Sequence, residues 1–361
     1  MTQYDLATLK TITANLSREL EEAKSGKKTS FSFILHELSS SPLVKDEESF
    51  QVLVFGGSVH LRALLRKERG RITLLKRESM QQHKFNTAED FFKVVEEDID
   101  PSVKVVALNL AYPLKPVFED GRLDGILIEG TKENNFTGLE GKRMGKAIEE
   151  RIKQKTERNF TVSVANDTAC LLLSGFTDVA PDREIAAGIV GTGLNFAIFL
   201  DKTHLVNLEA ANFDKFPQSE EGKIIDQASN KPGSALLEKE VSGAYLYQHF
   251  NTILKRDGFT YPPLSSTLEL NQLQENKDSD EAEIAKALFT RSASLTACVV
   301  AGITAFKKKD MDFVMEGSLF WNASGYRRTV KELVMQLVPE FNTKFIKIED
   351  SPIFGAAKLV S

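Results

Sequence analysis

The sequence predicts an α/β fold built as two domains, and three observations lead there. Short apolar, strand-like runs alternate with amphipathic helical segments along the chain. A length of 361 residues exceeds what one simple core usually organises. One strand–glycine–strand pattern also occurs twice, as VLVFGGSVHLRALL and as AGIVGTGLNFAIFL. Duplicated half-domains facing each other across a cleft would produce this echo, and so would two unrelated hairpins.

The elements follow in order. Leu6, Leu9, Leu16 and Leu20 recur at near-helical spacing, which predicts an amphipathic helix over residues 4–24. SSSPLVKDEESF reads as a linker, after which FQVLVFGGSVHLRALLRKERGRITLLKRE alternates as a strand–turn–strand set with KERGR as the turn. VKVVALNLAYP and GRLDGILIEG are further short strands, GLEGKRMGKAIEERIKQKTE is a helix, and NFTVSVAND is a strand that hands over to a helix at Asp167. A second strand set, EIAAGIVGTGLNFAIFLDKTHLVNLEAANF, repeats the earlier theme. Long helices then dominate, PGSALLEKEVSGAYLYQHFNTILKR and EAEIAKALFTRSASLTACVVAGITAFKKK, joined by a polar, Pro-containing linker over roughly residues 257–280. DFVMEGSLFW and FIKIED read as strands, SGYRRTVKELVMQLV as a helix, and FGAAKLVS as the start of one.

Composition narrows the class. Hydrophobic residues make up 42% and charged ones 27%, the balance of a soluble globular enzyme. A net charge of −5 argues against a nucleic-acid partner, which needs a basic footprint. No apolar run reads as a membrane span, and the amphipathic start lacks the apolar core of a secretory signal. Two cysteines, Cys170 and Cys298, suit a reducing compartment, so the expected location is cytoplasmic. Nothing in the sequence specifies an oligomeric state.

The residues that carry chemistry stand out against this background. In VSVANDTACLLL a buried strand runs into an apolar helix, yet Asn166, Asp167 and Thr168 sit in its middle. A charge there costs several kcal/mol unless it is paired or put to use. Closely spaced glycines let backbone N–H groups approach phosphate oxygens. GTGLNF, however, lacks the third glycine of a dinucleotide fingerprint and leads into a strand, and no G-x-x-x-x-G-K-[ST] sequence occurs. Glu209 in VNLEAANF, Glu238 in LLEKEVSG, and Asn166 and Asn195 at the ends of apolar strands form an acceptor-rich set, with Thr131 and Lys132 after another strand. Such a set suits a ligand made of hydroxyls; taken singly, each is more simply a helix cap or a solvated residue.

In order and spacing these motifs resemble the hexokinase family. The resemblance runs nearly end to end, through LDGILIEGTK, VANDTA, IVGTGLN, VNLEAANF, PGSALLEKEVSGAYL, RSASLTACVVAGI, MEGSLF and EDSPIFGAA. It implies an actin-like, ribonuclease H-like duplicated fold, with a small domain of residues 46–166 plus 346–361 and a large domain of 1–45 plus 167–345 around a central cleft. It implies ATP- and Mg2+-dependent phosphorylation of the 6-hydroxyl of glucose or a related hexose, with Asp167 as the catalytic base. Thr131, Lys132, Asn166, Asn195, Glu209 and Glu238 match sugar-binding positions. Gly56, Gly57 and Ser58 match one phosphate-binding turn, and Gly191, Thr192 and Gly193 the other. Gly317 and Ser318, with Gly355 near the end, match segments that flank the adenosine.

The chain departs from the family pattern at clustered places. Val54 stands where the family carries a metal-linked Asp, Val59 where it carries Asn, and Leu61 and Arg62 follow where an Arg is expected. Ala111 replaces a Ser of the sugar site, Ala235 a Gln, and Glu316 an Asp. Two functions are therefore weighed: a hexose 6-kinase that tolerates Val54, and a pseudokinase that binds sugar for a regulatory purpose. A third keeps the fold and changes the acceptor sugar.

Overall fold

The structure is a computed structural model that describes residues 3–56, 59–81, 84–130, 134–177, 183–276 and 279–361. Its strands in chain order are β1 (Ile34–Glu37), β2 (Ser49–Phe55), β3 (Val59–Glu68), β4 (Arg71–Gln81), β5 (Val105–Leu110), β6 (Leu114–Glu119), β7 (Arg122–Leu127), β8 (Thr161–Ala165), β9 (Glu184–Val190), β10 (Leu194–Phe199), β11 (His204–Asn207), β12 (Met311–Glu316) and β13 (Thr343–Ile346). They assemble into a five-stranded sheet ordered β4-β3-β2-β5-β8, a six-stranded sheet ordered β1-β11-β10-β9-β12-β13, and the hairpin β6-β7.

The two large sheets share one wiring. In each, three consecutive strands lie side by side, and the next two continue from the opposite edge of the first. β5 pairs in parallel with β2 and β8 with β5, as β12 does with β9 and β13 with β12. The echoed segments are β2-β3 and β9-β10, the first two strands of each repeat, so the echo marks a duplicated fold and not a chance pair of hairpins. The second sheet gains β1 on its far edge, beside β11.

Compactness divides the chain into two units. One comprises Met1–Phe33, Ala180–Phe196 and Leu208–Lys347, and the other Ile34–Val179, Ala197–Asn207 and Ile348–Ser361. In the second unit, β2 and β5 are buried at nearly every position, as parallel strands covered on both faces must be. Helices Ala88–Asp98 and Met144–Thr156 supply part of that cover around a core of Phe55, Phe85, Phe91 and Phe136. The first of these helices starts in a capping box, with Thr87 and Asp90 satisfying each other's backbone N–H groups.

In the first unit, helix Leu6–Lys24 begins at Asp5, whose side chain accepts the Thr8 N–H at 2.7 Å, and buries Leu9, Ile12, Leu16 and Leu20. It packs on helix Asp280–Lys307, where a Cβ on Gly302 would stand 2.6 Å from Leu16. Contrary to the sequence expectation, Asp280–Lys307 is long and apolar enough to cross a membrane, but 89% of its most apolar window lies inside the fold. Two other expectations are corrected. The segment expected as one long helix is two, Leu236–Val241 and Leu246–Asp257, broken around Ser242 and Gly243. The linker before residue 280 contains the helix Thr267–Leu273, started by the Ser266 cap.

Candidate functional site

In a parallel sheet, the carboxyl ends of the strands beside the point where strand order reverses leave a crevice for ligands. In the second unit that point lies between β2 and β5. Gly56 directly follows β2, Ala111 follows β5, and Asn166 and Asp167 follow β8. In the first unit it lies between β9 and β12. Gly191, Thr192 and Gly193 follow β9, and Gly317 and Ser318 follow β12. Gly57, Ser58, Thr131 and Lys132 lie outside the described residues.

Asn166 caps the helix Asp167–Ser174. Its Oδ1 accepts the Ala169 N–H at 3.0 Å, so the cap reading holds for this residue. The adjacent Asp167 is half-buried, and among the described residues its hydrogen-bond partners are the N–H and hydroxyl of Thr168, at 2.7 and 3.2 Å. At the first helical position the carboxylate also lies at the positive end of the helix dipole. The structure thus leaves Asp167 without an ion pair among the described residues, at a strand end where polar ligands bind.

Val54 is 6% exposed and belongs to the sheet interior. Its direct partner across β5 is Asn109, which in turn faces Ala165 on β8. Asn109 is 2% exposed; its amide nitrogen donates to the Pro352 carbonyl at 3.2 Å, while Oδ1 has no partner. The sequence reading passed over this residue, although an Asn inside the apolar run VVALNL is the same signal that singled out Asp167. Arg62 does not stand in for the absent family Arg, because it is tied to Glu78 on β4 and, at 3.4 Å, to Asp98. The side chain of Val59 lies outside the described residues.

The first unit gathers Asn195, Glu209, Glu238 and the Gly191–Gly193 turn into one connected network. The Gly191 N–H donates to the Gly193 carbonyl at 3.0 Å and closes the turn. Gly243 N–H donates to the Gly191 carbonyl at 2.7 Å and Ala244 N–H to that of Thr192 at 3.2 Å. The break between the two helices therefore exists to dock on this turn. Glu238 Oε2 accepts the Leu194 N–H at 2.9 Å, and a Cβ on Gly193 would stand equally close to that oxygen. The same carboxylate helps burial push up the phenol of Tyr245. Asn195 Oδ1 accepts the N–H groups of Phe196 at 2.8 Å and Ala210 at 3.2 Å, which anchors the Glu209 turn. Glu209 itself has φ 50°, a left-handed backbone that costs a non-glycine residue roughly 1–3 kcal/mol. Ala235, also left-handed at φ 51°, donates its N–H to Asn212 Oδ1 at 3.2 Å.

Two glycines have packing reasons. Gly317 has φ 108°, and a Cβ there would stand 2.1 Å from the Val190 carbonyl oxygen, so the starts of the two glycine segments of this unit touch. Gly355, in helix Ser351–Ala357, brings that helix against Asp167–Ser174: a Cβ would stand 1.8 Å from the Cys170 carbonyl oxygen. Close helix packing accounts for Gly355.

The comparisons with known proteins agree with one another. The family model for hexokinase matches residues 185–256 and 262–361. The chain is 26% identical to a hexokinase of Emericella nidulans over 88% of its length and 78% of that protein's. It is 24% identical to hexokinase-2 of Rattus norvegicus over 72% of its length but only 34% of that longer protein's. The hexokinase of Schistosoma mansoni, solved in complex with glucose, superposes with a TM-score of 0.78 at 19% identity, covering 99% of this chain and 95% of that one. Model, relatives and fold together make the chain similar to hexokinases: the family model and the relatives in sequence, the solved structures in fold.

Proposed function

We propose that the protein is an ATP- and Mg2+-dependent hexose 6-kinase. The observation that supports this reading is that Gly56, Asn166, Asp167, Gly191–Gly193, Gly317 and Ser318 follow strands at the two switch points, with no ion pair at Asp167 among the described residues. Asp167 takes the proton of the sugar's 6-hydroxyl as that oxygen attacks the γ-phosphorus and the bond to ADP breaks. Asn166, Asn195, Glu209 and Glu238 hold the other hydroxyls, with Thr131 and Lys132 assigned to the same task. Each of these groups left unpaired by a wrong sugar penalises it by about 1–3 kcal/mol. The turns Gly56–Ser58 and Gly191–Gly193 take phosphate oxygens, the second without the Gly191 N–H that closes it, and Gly317 and Ser318 flank the adenosine.

Mg2+ takes oxygen ligands and relies on one or two carboxylates with substrate phosphates and water. Among the described residues no cluster of three or more His, Cys, Asp or Glu is present, and none is required for such a site. The half-buried carboxylate of Asp167, with no ion pair among the described residues, is the kind of oxygen ligand that would hold such an ion together with water and substrate phosphates. When bound, the ion supplies charge neutralisation on the phosphates. The functional lobes in this reading are residues 46–166 plus 346–361 and 1–45 plus 167–345. Two buried free thiols, Cys170 and Cys298, support a cytoplasmic setting.

The test is glucose-dependent ADP release from Mg-ATP by the protein and by Asp167→Asn. Loss of the base is expected to cut turnover by roughly 10²–10⁴-fold. The buried apolar Val54 favours the second reading, a sugar-binding pseudokinase. Glucose that raises the melting temperature without any turnover above that of the variant would establish it. If neither signal appears, a hexose panel identifies the acceptor.

A further inference from the structure

A groove of about 640 Å³ runs between helix Tyr326–Leu337 and β13, within the first unit. It is lined by Arg327, Arg328, Lys331 and Lys344 and by the half-buried Phe345 and Ile346, which stand on opposite faces of β13. No carboxylate is among the described residues that line it, and none of the four cations makes an ion pair with a described residue. This stands out in a chain of net charge −5 whose arginines elsewhere, such as Arg62, Arg122, Arg151, Arg183 and Arg256, are paired with acids. Arg327 is held over the Trp321 ring at 5.2 Å from its centre, and Lys347 lies 5.8 Å from it, so part of the positive edge is preorganised.

β13 ends its sheet. Its residues pair with β12 on one side, and among the described residues no backbone hydrogen bond is made from Thr343–Ile346 beyond that pairing. An open strand edge is a template for another strand, and proteins usually blunt it with charge. Here the blunting charges all have one sign and lie beside apolar side chains, which repels most chains and selects one kind.

We propose that this groove is a docking site for an extended acidic segment of a partner protein, which adds as a strand along β13. Main-chain hydrogen bonds to β13 supply the register; the added strand sets its apolar side chains on one face, beside Ile346 or Phe345, and its alternate carboxylates on the other, within the field of Arg327, Arg328, Lys331 and Lys344. A nucleic acid or an anionic membrane would use the same cations but neither the strand edge nor the apolar side chains, so the peptide is the better fit.

The probe is a short fluorescein-labelled peptide of alternating Glu and Val, followed by anisotropy with the full chain. Binding is expected, weakening steeply as salt rises from about 50 to about 200 mM. The triple variant Arg328→Glu, Lys331→Glu, Lys344→Glu is expected to lose roughly 10-fold or more in affinity. The milder triple replacement of the same residues by Gln should lose affinity in the same direction, which keeps the test valid if charge reversal unfolds the protein. A probe N-methylated at alternate backbone nitrogens keeps every charge and should also bind roughly 10-fold more weakly. The proposal is overturned by equal binding of the Gln variant, by equal binding of the N-methylated probe, or by phosphatidylserine vesicles or duplex DNA binding through these cations while the peptide does not.

Discussion

Under the kinase reading the chemistry turns on Asp167 and Val54: Val54 lies on β2, and Asp167 opens the helix that follows β8, with β5 between the two strands. Asp167 was legible because a carboxylate interrupts an apolar run, and its cost must be met by a ligand or a partner. Val54 is the reverse: an apolar residue that the sheet accepts at no cost, so only the family pattern marks it. The structure adds that Asn109 is its cross-strand neighbour and has an orphaned oxygen. Under the kinase reading, Val54→Asp restores a carboxylate beside that amide. We expect turnover to rise about tenfold, equivalent to about 1.4 kcal/mol of barrier, with a lower melting temperature from the buried charge. Unchanged turnover in a folded Val54→Asp protein would show that this position no longer takes part in charge management.

Helix Asp167–Ser174 is short and wholly buried after its first residue, and its position depends on what lies against it. Helix Ser351–Ala357, from the far end of the chain, makes the closest approach, through Gly355 to the Cys170 carbonyl. A methyl group there cannot be absorbed by a side-chain rotation, because the obstacle is backbone. Gly355→Ala should therefore separate the two helices, cost roughly 1–3 kcal/mol, and shift the segment that carries Asp167. Denaturant melts measure the first effect and the specific activity of the remaining folded protein the second. A stability within about 0.5 kcal/mol of the parent would mean the helices do not pack as closely as described. The broken helix at Ser242–Gly243 belongs to the same scale. Its periodicity runs on without interruption, so the sequence reads as one helix, and the break appears only once Gly243 is seen bonded to the Gly191 turn.

At the scale of the molecule, acid stability follows from buried neutral imidazoles. His36 is buried in β1, with Nδ1 3.0 Å from the Ile34 carbonyl, and burial pulls its pKa down to about 4; the buried His249 is shifted in the same direction. The unfolded chain takes up a proton near pH 6.5 that the folded one refuses until about pH 4. His36 therefore contributes stability that is fully present above pH 6.5 and lost as the pH falls towards 4, about 3 kcal/mol over that range. Unfolding followed at pH 7 and pH 4.5 should show a clear loss, and His36→Gln should flatten it. An unchanged slope in the variant would assign the pH dependence to other groups.

The sequence by itself determined the class of fold, the helix and strand types over most of the chain, and the residues worth suspecting. Those signals are local: periodicity, glycine placement, and polar groups set among apolar neighbours. Only the tertiary structure decided that the strand echo is a true repeat, because the shared strand order arises from pairings distant in sequence. It likewise decided that Asn166, Asp167 and the Gly191 and Gly317 segments follow strands at the two switch points, that Gly355 packs against the Cys170 carbonyl, and that Asn109 stands beside Val54. Those facts are relations between segments brought together by folding, and no local pattern encodes them.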